Sequence, residues 1–127
     1  MCIRDRSGEI PYTCYYASSD FLAENSDLIQ RFTNAIYKGQ QWVASHTPRE
    51  VAEAIAPFFP DNDLDLLEMV CRRHAEIDAF MSTPVMKEEA FDRLQTVMEQ
   101  AGELEKRVDF RALVDNRFAE AAVASLS

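Results

Sequence analysis

Three groups of side chains have the types and spacing to do chemistry. Asp61, Asp63 and Asp65 stand at positions 1, 3 and 5 of a calcium loop, where alternate carboxylates converge on a hard cation. The rest of that loop is missing. Position 6 is Leu66 instead of the glycine a sharp turn needs, and position 12 is Arg72 instead of a bidentate glutamate. Capping of a following helix accounts for these acids better, because carboxylates complement the positive end of the helix dipole. His46 and His74 are far apart, and neither has a second ligand at helical spacing, so neither zinc nor general-base chemistry is indicated. The cysteines, Cys2, Cys14 and Cys71, show no paired spacing and no CxxC; they read as free thiols, with Cys71 inside an apolar helical stripe. No GxSxG, P-loop or GxGxxG is present, and there are three glycines in all. The sequence therefore implies no cofactor, no metal and no catalytic residue.

The third group is aromatic. Tyr12, Tyr15, Tyr16 and Trp42 could form a platform for a small planar or polar ligand, since a phenol offers both a face and a hydroxyl. For Trp42 core packing is the stronger reading. For Tyr12 and Tyr15 the ligand platform and core packing are about equally favoured.

These residues sit on a chain of 127 residues with 47% hydrophobic content, enough for one modest core. The net charge of -9 argues against nucleic acid, because phosphate binding requires a Lys/Arg stripe and here 22 acids outnumber 13 bases. The longest apolar stretches, such as 51–59, are interrupted by Glu53 and Pro57 and fall well short of the roughly 20 residues that span a bilayer. Residues 1–7 carry three charges and are followed by no apolar signal-peptide core. Residues 1–6, MCIRDR, have no periodicity and resemble the translation of a transposase adapter used in preparing sequencing libraries. On that reading residues 1–7 are not native and the reading frame is truncated upstream.

The segment 10–17, IPYTCYYA, is rich in β-favouring residues and bounded by Gly8 and Ser18-Ser19-Asp20, which predicts one strand. No partner strand is evident downstream. From Asp20 on the period becomes helical: Leu28, Ile29, Phe32, Ala35, Ile36, Gly39, Trp42 and Val43 make one apolar stripe, with Asn25 or Ser26 as cap. Thr47-Pro48-Arg49-Glu50 is a capping box with proline at N1, and Val51, Ala54, Ile55 and Phe58 form the apolar side of its helix. Asp61-Asn62-Asp63 caps a third helix through Leu64, Leu67, Val70, Cys71, His74 and Ile77. A fourth covers 87–101, buries Phe91, Leu94, Val97 and Met98, and ends at Gly102. A short last helix from Asp115 turns Phe118, Ala121 and Ala122 inward. The expected fold is a mainly α-helical fragment with one N-terminal strand.

The strand followed by N-x-D-L-x-x-R-F at 25–32, Y-K-G-x-x-W at 37–42, P-V-M-K-E-E-x-F at 84–91 and the closing NRFAEAAV resembles the C-terminal region of solute-binding proteins of ABC importers, in the nitrate/sulfonate/taurine and thiamine-pyrimidine-precursor family. The resemblance extends from Ile10 to Val123 and implies that residues 8–127 are the C-terminal part of a solute-binding domain, a hinge-proximal strand plus helices. It implies a bilobed α/β parent fold of the periplasmic-binding-protein type II kind, which closes on a small solute by hinge motion and delivers it to an ABC permease. It also implies a periplasmic location or a lipoprotein tether, with residues 12–16 leading away from the hinge and Tyr12, Thr13 and Tyr15, by their position near it, as the candidate ligand contacts. Two other readings stay open. One is a thiamine-pyrimidine-precursor synthase-like enzyme, whose cysteine-rich motif has no counterpart here. The other is a self-contained acidic helical interaction module.

Overall fold

The structure is a computed structural model and describes residues 8–77 and 79–126. Its regular elements are all helical: α1 (Ser19–Glu24), α2 (Ser26–Ser45), α3 (Pro48–Ile55), a 3-10 turn (Ala56–Phe58), α4 (Leu64–Glu76), α5 (Glu88–Gln100), α6 (Phe110–Leu113) and α7 (Arg117–Leu126). Residues 1–7, including Cys2 and the adapter-like segment, lie outside the described residues.

The strand expected over 10–17 does not form. These residues have no regular structure, and among the described residues there is no strand to pair with them. A strand is defined by its ladder, so β-favouring side chains alone leave the backbone extended and solvated.

The helix starts follow local chemistry. Ser18 Oγ accepts from Phe21 N at 3.2 Å and opens α1, which periodicity alone does not reveal. Asn25, expected to cap α2, instead turns its amide back to donate to Phe21 O at 3.1 Å, closing α1 while α2 starts without a side-chain cap. The capping box of α3 is complete: Thr47 Oγ1 accepts from Glu50 N at 3.3 Å, and Glu50 Oε2 accepts from Thr47 N at 2.8 Å. Asp63 caps α4 by accepting from Asp65 N at 3.0 Å. At the end of α5, Gly102 adopts φ 77°, Gly102 N donates to Glu99 O, and Glu103 N donates to Met98 O at 2.9 Å. That crossed pair satisfies two carbonyls the helix leaves unbonded.

Packing joins the helices in pairs. α3 and α4 enclose the main apolar cluster, Val51, Ala52, Leu67 and Cys71, flanked by Val43, Ile55, Ala56 and Leu64. Arg49 on α3 reaches Asp65 and Glu68 on α4 at 2.7 and 3.1 Å as well as Glu53 at 3.2 Å, and Glu68 also holds Arg72. α5 meets α6 through Phe91 and Phe110, whose rings lie 5.6 Å apart. α7 lies along α2, where Gln30 Nε2 donates to Phe118 O at 2.9 Å and Gln41 Nε2 to Leu126 O at 3.4 Å.

Two carboxamides fasten the irregular connections. Buried Gln95 receives Val108 N on Oε1 at 2.7 Å and donates Nε2 to Val108 O at 3.1 Å. Asn116 does the same for Met86, accepting its N–H at 3.0 Å and donating to its carbonyl at 2.8 Å. Each amide thus substitutes for the neighbouring strand that an extended residue would otherwise need.

The apolar stripe of α2 packs only in part: Ile29 and Ile36 are half-buried and Val43 lies against the α3–α4 cluster. Tyr37 is buried, whereas Leu28, Phe32 and Trp42 are exposed, and so are Ala35 and Gly39. α2 turns Gln30, Tyr37 and Gln41 toward α7 and leaves much of its expected core side outward. Smaller corrections follow the same pattern: Val70 and His74 on α4 and Ile77 at its C-cap, Ala54 and Phe58 near α3, and Ala121 on α7 are exposed, while Ala119 is buried. The solvent-accessible surface is 9681 Å² for 14.5 kDa. A compact monomer of that mass exposes about 6,900 Å² by the usual mass scaling.

Candidate functional site

The tyrosine segment lies between two points of attachment. At its root, Arg93 Nη1 donates to Glu9 O at 2.6 Å, and Lys87 Nζ meets Glu9 Oε2 at 2.7 Å. Gly8 sits against the same guanidinium with φ 83°; a Cβ there would fall 2.8 Å from Arg93 Cζ. Farther along, Tyr15 meets Phe32 of α2 edge-on, with ring centroids 4.9 Å apart and planes at 85°. Between these points the candidate contacts are open to solvent: Tyr12 is 98% exposed, Tyr15 is 74% exposed and Thr13 is exposed. Tyr16 is exposed too.

The structure therefore gathers Tyr15, Phe32 and the outward side of α2 into one surface, and leaves Tyr12 and Thr13 projecting beside it. Aromatic faces, phenol hydroxyls and exposed backbone groups together can stack on and hydrogen-bond a polar solute once something covers the other side. Phe32 belongs to the stripe expected in the core; spacing does not reveal its tie to the tyrosines, because the two segments meet only through tertiary structure.

Trp42 does not join this group. It stacks on His46 with centroids 4.0 Å apart and planes at 22°, and His46 Nδ1 lies 2.7 Å from Trp42 O and 3.1 Å from Ser45 Oγ. His74 is likewise held locally, with Nδ1 2.8 Å from Val70 O and its ring stacked on Phe80. Both histidines thus serve helix ends. Cys71 is buried, and burial pushes its thiol above the ordinary range, away from the thiolate a nucleophile needs. Cys14 is exposed. A cavity of about 30 Å³ beside Cys71, between Val43, His46, Val51 and Phe80, is the size of a single water and far below that of a solute pocket. An open depression of about 500 Å³ lies by Asp27, Gln30 and Arg31 on α2.

Of the calcium-spaced acids, Asp63 caps α4 and Asp65 pairs with Arg49. Among the described residues no group of three or more His, Cys, Asp or Glu could hold a metal ion. No helix among them is long and apolar enough to cross a membrane.

Over 116 residues, 91% of the chain, the sequence is 37% identical to the Bacillus subtilis (strain 168) protein named "Putative binding protein YtlA". The chain spans 35% of that relative's length. The similarity is to a protein named for binding. No family model matches the chain, and no solved structure matches it.

Proposed function

We propose that the chain is one part of a solute-binding protein that captures a small solute and hands it to an ABC permease by hinge closure. The observation that carries this reading is the 37% identity to a binding protein across 91% of the chain. It is supported by motifs at 25–32, 37–42 and 84–91 that resemble the nitrate/sulfonate/taurine and thiamine-pyrimidine-precursor family. The open side of α2 and the strand-less segment 10–17 fit the reading, because both need a covering layer that a bilobed α/β parent would supply. On this proposal residues 1–7 are foreign, the parent is periplasmic or lipoprotein-tethered, and Tyr12, Thr13 and Tyr15 contact the solute near the hinge.

A chimera tests it. The chain replaces the 116 matched residues in the Bacillus subtilis relative, and the product is titrated calorimetrically with thiamine pyrimidine precursors, taurine, alkanesulfonates and nitrate. The expected result is a folded chimera that binds reversibly one of the compounds the unaltered relative binds. Its binding should weaken by at least about tenfold when Tyr12 and Tyr15 become alanine, the loss of one good contact or more. A chimera that does not fold, or that turns the bound compound over, overturns the proposal.

A further inference from the structure

The root of the tyrosine segment is built differently from the rest of it. Glu9 is gripped at its carbonyl by Arg93 and at its carboxylate by Lys87; Lys87 caps α5 and Arg93 lies within it, so the two grips share a rigid base. Gly8 brings the backbone onto the Arg93 guanidinium. Its positive φ and the 2.8 Å clearance to Cζ mean that a side chain there would both strain the backbone and displace the cation. Pro11 then fixes its own φ and restricts Ile10 to extended backbone, which makes a stiff link. Beyond that link, residues 12–17 are exposed and make no hydrogen bond among the described residues, and the Tyr15 ring on Phe32 is the contact the structure shows for them.

We propose that Gly8 and Glu9 are a fixed root clamped on α5, and that residues 12–17 are a strap that moves about it. The strap carries Tyr12, Thr13 and Tyr15 between solvent and a partnered position without disturbing α5. Six extended residues reach about 20 Å, enough to leave Phe32 entirely. Use of the strap in closing on a solute rests on the solute-binding reading; the clamped root does not.

The test is backbone ¹⁵N relaxation on the 127-residue chain without any solute. Order parameters of Gly8 and Glu9 are expected at about 0.85, like those of α5, with residues 12–17 below about 0.6. Arg93→Gln is expected to bring Gly8 and Glu9 down to the strap's values while the amides of 88–100 keep theirs. Should that change disturb α5, Lys87→Gln at an exposed side chain removes the second grip and is expected to lower Glu9 part of the way. A root as mobile as the strap in the unaltered chain, or one unmoved by both substitutions together, overturns the proposal. Because no solute enters the measurement, a chain that binds none leaves the root standing, and a mobile root leaves the solute reading untouched.

Discussion

Asn116 takes both backbone hydrogen bonds of Met86, a residue 30 positions earlier, at 3.0 and 2.8 Å. This amide ties the start of α7 to the stretch that leads into α5, joining two parts of the chain that otherwise meet little. Replacing it with aspartate keeps the acceptor for Met86 N–H but sets a carboxylate against the Met86 carbonyl. Asn116→Asp should cost about 1–3 kcal/mol at pH 7. Urea unfolding should show the deficit shrinking as pH falls, because the protonated acid regains a donor; a deficit independent of pH would count against the paired geometry.

Two glycines should respond in opposite directions to the same substitution. A Cβ added at Gly39 or at Gly102 would meet no neighbouring atom within 4 Å, so backbone conformation alone separates the two sites. Gly39 lies inside α2, and Gly39→Ala should stabilise by about 0.5–1 kcal/mol. Gly102 sits at φ 77°, where an L side chain costs roughly 1–2 kcal/mol, so Gly102→Ala should destabilise. Thermal melts of the two variants with opposite shifts are the expected outcome.

The outward stripe of α2 and the α3–α4 cluster make a second contrast. Leu67→Ala empties a buried site and should cost about 2–5 kcal/mol. Phe32 is 42% exposed, and Phe32→Ala should cost well under half as much despite removing a larger side chain. Equal losses in urea unfolding would mean that the stripe is covered in solution.

Acid should loosen the α3–α4 pair. The backbone and hydroxyl of Thr47 hold Glu50 below the usual carboxylate range, and Arg49, then Arg72, do the same for Glu68. Hydrogen bonding from Arg117 lowers Asp115 at the start of α7. A depressed folded-state value means stability that is present above the unfolded value, near about pH 4, and lost as pH falls through the lower folded value. Melting followed by circular dichroism between about pH 6 and pH 2 should show this loss. Glu50→Gln with Glu68→Gln should flatten the profile, and added salt should weaken the Glu68 contribution.

Much of the helical frame is legible in the sequence because its signals are local. The capping box at Thr47 and Glu50 and the stop at Gly102 depend on residues within one turn, and both form as their types dictate. Spacing marks the stripe on α2 correctly as one side of a helix, but which side finds a partner depends on the rest of the molecule, and the polar side with Gln30 and Gln41 lies on α7. The segment 10–17 departs from expectation for a related reason: β-favouring residues describe a backbone ready to pair, and pairing belongs to two segments. Asn25 could cap either of two helices, and local sequence does not choose between them. Of the candidate contacts, Tyr12, Thr13 and Tyr15 are exposed, and Phe32 becomes visible as the neighbour of Tyr15 only in three dimensions.

The stack of Trp42 on His46 gives the chain a built-in optical signal. The sequence has one tryptophan, so the whole indole emission comes from the junction where α2 hands over to α3. Any event that lifts the imidazole off that ring, whether separation of α3 from α2 or docking of another surface over the exposed side of the indole, changes the colour and intensity of a fluorophore the chain already carries, without a label.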